Sequence, residues 1–70
     1  MTNGSTEQTA APLFALYARK TARSKGRLIA LMFDDQAAQR HARELRAAMD
    51  YVSVEVRQFS PGAVPPDSIA

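Results

Sequence analysis

The sequence predicts a small α+β domain, β-β-α-β, in which a three-stranded, mainly antiparallel sheet carries one helix on one face. Three observations lead there. Two short, almost continuously apolar runs, Leu13 to Ala18 and Leu28 to Phe33, flank a polar stretch that contains Gly26. An alanine- and arginine-rich segment follows a pair of aspartates, and a period-two segment closes the pattern.

Each run is too short for a helix of ordinary length, and the residues between them are turn-formers, so both read as strands joined in a hairpin with a long tip. Asp34 and Asp35 supply an N-cap and an anionic first turn for a helix over Gln36 to Met49. At 100° per residue Ala38, Ala42, Leu45 and Met49 share one face, with His41 and Ala48 at its border, and this face packs on the sheet. Asp50 ends the helix. From Tyr51 to Phe59 the chain alternates, sending Val52, Val54 and Val56 to one side of a third strand. A right-handed crossover through the helix and a spatial order 2-1-3 make every neighbouring pair antiparallel and place the most apolar strand in the centre.

Residues 1–12 lack apolar periodicity and read as a disordered tail; residues 60–70 carry Pro61, Gly62, Pro65 and Pro66 and read as a Pro-rich tail, extended or disordered. The single domain is therefore expected over 13–59. So short a segment buries a modest core. One helix covers one sheet face, which leaves the other face, with Leu13, Tyr17, Leu28 and Met32, as a self-association surface. A homodimer is expected, by packing of sheet faces or by pairing of an edge strand. The competing reading is that the tails fold back over this face, or that its alanines make it small enough to leave exposed.

Cysteine is absent from the sequence, which removes disulfides, thiolate metal ligands and cysteine nucleophiles together and fits a reducing, cytoplasmic setting. No apolar run approaches the roughly 20 residues of a membrane span, and the apolar helix face is mostly alanine, so no membrane partner is expected. His41 beside Glu44 is too little for a metal site or for acid-base chemistry, Asp34 and Asp35 are accounted for by capping, and no serine sits in a glycine-framed elbow. No cofactor is expected. The chain is read as non-enzymatic, with His41, Glu44 and Tyr51 as the residues an enzyme would have to use.

Charge carries the functional signal. Between Leu13 and Phe59 there are nine Lys and Arg against Asp34, Asp35, Glu44, Asp50 and Glu55, and nine less five leaves +4. Five of the cations, Arg19, Lys20, Arg23, Lys25 and Arg27, lie in the hairpin tip together with Thr21 and Ser24. Arg40, Arg43 and Arg46 recur every third residue as a ridge on the helix. Both sets suit an anionic partner. The reading that follows is a protein-interaction module, a small adaptor or an inhibitor, docking a larger protein or nucleoprotein complex with an acidic surface. The alternative is a nucleic-acid-binding regulator that contacts DNA or RNA phosphates through the same residues. With no tryptophan in the chain, a base-stacking platform has little to build on.

Overall fold

A computed structural model describes residues 11–70, and residues 1–10 of the tail expected over 1–12 lie outside them. Among the described residues the fold is α+β, with one helix and an antiparallel sheet. Strand β1 spans Leu13–Arg19, β2 Gly26–Met32, helix α1 Asp35–Ala47, β3 Ser53–Phe59, and β4 Ser68–Ile69. The sheet order is β3-β1-β2-β4, so the three expected strands lie in the expected order and a fourth is added beside β2.

β1 is central because its residues suit burial on both faces. Phe14, Leu16 and Ala18 point toward the helix, where they pack with Ala38, Ala42 and Val54; Ala30, Met32, Leu45, Tyr51 and Val56 complete that core. Ala15 and Tyr17 point the other way and form a second, smaller core with Ile69, Leu28 and Phe59. Leu16 and Tyr17 are the largest fully buried side chains among the described residues.

Asp34 caps α1 by accepting a 3.2 Å hydrogen bond from the Ala37 amide. Ala38 and Ala42 are fully buried, and their small side chains let the helix approach the sheet closely. Met49, expected on this packed face, is instead exposed and adopts φ 60°, the left-handed position that commonly ends a helix and that glycine fills most readily. The helix has already ended at Ala47. The turn that follows directs the chain toward β3, and just before that strand the Val52 amide donates to the Arg19 carbonyl at 2.7 Å.

Two features correct the sequence reading of the sheet. A β-bulge interrupts the β1–β2 ladder: Leu16 pairs with Ala30, whereas Tyr17 pairs with Leu28, so Ile29 is the extra residue. Strict alternation had put Leu28, Ala30 and Met32 on one face, but the bulge sends Leu28 to the face of Tyr17 and leaves Ala30 and Met32 under the helix.

The second correction concerns residues 60–70, which do not end the fold as a loose tail. After β3 a turn with Pro61 and Gly62 (φ 84°) is closed by the Ala63 amide donating to the Ser60 carbonyl at 3.0 Å. The chain then crosses the face opposite the helix as a strap. The Tyr17 hydroxyl donates to the Pro66 carbonyl at 2.7 Å, the Leu28 amide donates to the Asp67 carbonyl at 2.8 Å, and Ser68 and Ile69 pair with Arg27 and Gly26. Proline-rich backbone suits this path because a crossing strap needs few ladder hydrogen bonds. The proposed self-association residues consequently do not form one uncovered face. Tyr17 is 1% exposed, Leu28 packs beneath the strap, Met32 faces the helix, and Leu13 is half-buried at the rim.

Burial raises the Tyr17 phenol above its ordinary value near 10; the nearby Asp67 carboxylate adds to the rise and Arg57 opposes it. The fold therefore favours the protonated phenol. Stability from this residue is complete below the unfolded value of about 10 and falls as pH rises through the higher folded value. In a Tyr51→Phe background, tyrosinate absorbance should appear later than for free tyrosine and together with loss of the far-ultraviolet circular dichroism. Ionisation of Tyr17 with the fold intact would contradict a buried, donating hydroxyl.

Candidate functional site

The hairpin tip is built, not slack. Thr21 and Ser24 close a turn on each other: the Ser24 amide donates to the Thr21 carbonyl at 3.2 Å and to Thr21 Oγ1 at 3.1 Å, the Thr21 amide donates to Ser24 Oγ at 3.0 Å, and that hydroxyl donates to the Thr21 carbonyl at 2.9 Å. These side-chain bonds to backbone substitute for ladder bonds where the strands have diverged. Arg19 braces the tip from below, donating to the Ser24 carbonyl at 2.7 Å and to the Ala70 carbonyl at 2.5 Å. One guanidinium thus ties the hairpin to the strap, and its planar fork of donors suits two carbonyls at once.

The cations left at the surface of the tip are Lys20, Arg23, Lys25 and Arg27. Three of them, Lys20, Lys25 and Arg27, line a shallow open groove of about 620 Å³ together with Ala18, Ser24, Leu28, Ile29 and Tyr51. The bulge at Ile29 has a consequence here, because it turns an apolar side chain into the groove's lining. Tyr51 forms a wall, and the Lys20 ammonium lies 5.8 Å from the centre of its ring, within reach of a cation–π attraction. The groove is a mixed surface, with positive charge at its rim and apolar and aromatic groups inside. Arg23 stands at the apex of the turn, outside this lining.

The helix ridge does not join the groove. Arg46 reaches sideways and donates to the Val54 carbonyl of β3 at 2.6 Å, fixing the end of α1 to the outer strand. Arg40 and Arg43 are exposed and form no hydrogen bond or ion pair among the described residues, and neither lines the groove. The eight arginines and lysines grouped by sequence therefore separate into three kinds: two structural braces (Arg19 and Arg46), a tip cluster, and a solvent-facing pair on the helix. The spacing of charges along the chain carries no record of a guanidinium's carbonyl partners, which is why sequence reasoning grouped them. It also passed over Tyr51 and Ile29 as groove residues; the aromatic ring next to a break in apolar alternation was the available signal.

His41 Nδ1 lies 3.8 Å from Glu44 Oε1 on the exposed side of the helix, a weak solvated pair. Neither residue lines the groove that holds Tyr51. Among the described residues no group of three or more His, Cys, Asp or Glu could hold a metal ion, and no helix is long and apolar enough to cross a membrane. No protein-family model, curated protein or solved structure matches the chain.

Proposed function

We propose that this protein is a non-enzymatic binding module, an adaptor or inhibitor, that docks an acidic segment of a larger protein or nucleoprotein complex in the groove at the hairpin tip. The observation that carries this reading is the joining of Lys20, Lys25 and Arg27 to an apolar interior walled by Tyr51. Aromatic groups with flanking arginine make good anchors for protein partners, and a rim of cations steers and orients an acidic one. A cytoplasmic setting suits a chain without cysteine.

The nucleic-acid alternative draws on the same cations but has fewer phosphate donors than the sequence suggested. The Ser24 hydroxyl spends its proton on the Thr21 carbonyl, Arg19 and Arg46 are engaged with carbonyls, and Arg40 and Arg43 lie outside the groove. A mixed groove favours a segment carrying both carboxylates and an apolar side chain over a bare phosphate backbone.

The test compares two fluorescent probes, an acidic peptide containing leucine and phenylalanine, and a duplex DNA, titrated at about 50 and 200 mM salt. The peptide should bind, and the triple reversal Lys20→Glu, Lys25→Glu, Arg27→Glu should remove that binding while the circular dichroism stays unchanged. DNA binding that falls steeply between the two salt concentrations, with no peptide binding, would replace this reading with the nucleic-acid one.

A further inference from the structure

The strap covers the Tyr17 and Leu28 part of the second face and leaves Leu31 half exposed there; along the edges of the sheet, the outer side of β3 is open over its whole length among the described residues. All seven residues from Ser53 to Phe59 pair with β1 on one side, and among the described residues no strand pairs with them on the other. Such an edge is a template for another strand unless something blocks it. β3 contains no proline and no lysine. Val54 and Val56 pack toward the helix, and Glu55 and Arg57 stand on the opposite face, joined by a 2.6 Å hydrogen bond from Arg57 Nε to Glu55 Oε2.

We propose that β3 pairs with β3 of a second copy of this chain, antiparallel and centred on Val56, to make one continuous eight-stranded sheet. The register follows from symmetry and charge. A two-fold axis perpendicular to the sheet must place opposed residues on the same face, so the axis passes beside a residue and not between two. Centring on Val56 is the only such choice that pairs all seven residues. It sets Glu55 opposite the partner's Arg57 at two symmetric positions and Val56 opposite the partner's Val56. Moving the centre by one residue opposes Glu55 to the partner's Glu55, or Arg57 to the partner's Arg57, and like charges directly opposed are unfavourable. An arginine has five donors, so Arg57 keeps its Glu55 bond while reaching across the axis, and the four charges close a ring. Arg46 already donates to the Val54 carbonyl, and that oxygen retains a second lone pair for the ladder. The groove is lined from β1, β2 and the loops beside them, so both copies keep it open, and this pairing does not depend on what the groove binds.

Sedimentation of the full chain from low micromolar to near-millimolar concentration should pass from monomer to dimer. Glu55→Arg alone and Arg57→Glu alone each turn two attractions into two repulsions and should weaken the dimer roughly tenfold or more. The double swap Glu55→Arg/Arg57→Glu should restore it. Val56→Cys, in a chain with no other cysteine, reads the register directly: Cα atoms of opposed strand residues lie about 4.5–5.5 Å apart, within disulfide range. Mild oxidation should therefore give a covalent dimer. A monomer at every concentration overturns the proposal, and so does a dimer that is indifferent to the charge swaps and does not cross-link through the introduced thiol. Should the Val56→Cys variant fail to fold, the swap-and-rescue series stands by itself, because both charged side chains are about half exposed and outside the core.

Discussion

Leu16→Ala should lower the stability of the fold by about 3 kcal/mol, the middle of the usual range for emptying a buried leucine site. Leu16 is 0% exposed and belongs to the helix-facing core together with Ala38 and Ala42 of the helix and Val54 of β3. Those neighbours are small or β-branched and held by regular backbone, so they cannot move in to fill the space. The total available is modest: at roughly 0.05–0.15 kcal/mol per residue, a fold of this size has only a few kcal/mol in all. Thermal unfolding should show the midpoint falling by about 12–24 °C, at roughly 4–8 °C per kcal/mol for a small domain. Leu31→Ala is the control, because Leu31 lies on the same strand pair but is 49% exposed. Equal shifts for the two variants would mean that the helix-facing cluster is not the principal core.

The second large effect is expected at Gly26, where β2 meets the strap. A Cβ placed there would lie 2.9 Å from Ile69 Cγ1, 3.3 Å from Ile69 Cδ1 and 3.4 Å from Tyr17 Cβ. The first of these is closer than carbon atoms tolerate, and the obstructing atom is near the root of the side chain, so Ile69 must move as a whole. Gly26→Ala should cost about 1–3 kcal/mol by overpacking. In an Ile69→Ala background the obstruction is gone, and the same substitution should become neutral or slightly stabilising, since Gly26 does not have a positive φ and replacing glycine by alanine at a compatible position stabilises by roughly 0.4–1 kcal/mol. The sign reversal is the diagnostic. Urea unfolding of the four chains gives the coupling energy, and additive effects would show that Ile69 does not rest on Gly26.

Much of the helix-facing half of the molecule was legible because its signals are local. An apolar run flanked by turn residues identifies β1, Asp34 ahead of an alanine-rich segment identifies the cap and the helix, and apolar burial places β1 between β2 and β3. The strap was less legible for a physical reason. Its proline content argues correctly against helix and ladder, but its position depends on contacts that composition does not record: one buried isoleucine, a carbonyl at Pro66 opposite the Tyr17 hydroxyl, and a glycine at position 26 whose missing side chain makes room. The bulge at Ile29 is similar, since a single inserted residue reverses the facing of the side chains on one side of it relative to those on the other, here Leu28 against Ala30 and Met32, while the sequence still reads as an apolar run. In the candidate site the clustering of cations was visible, whereas the withdrawal of Arg19 and Arg46 into structural roles and the arrival of Tyr51 beside Lys20 both depend on long-range folding.

The strap also bears on the order in which the fold assembles. Tyr17 and Pro66 are 49 positions apart, and Arg19 and Ala70 are 51, whereas the β1–β2 hairpin closes across a handful of residues. Closing the longer loop costs more chain entropy, and part of that cost disappears once the hairpin, α1 and β3 have already brought the ends together. The strap is thus expected to dock after the rest of the sheet has formed. Contacts made after the folding barrier act on the rate of unfolding and leave the rate of folding almost untouched. Its few hydrogen bonds and one isoleucine therefore govern how long the native molecule persists once made, and the hairpin and helix govern how quickly it appears.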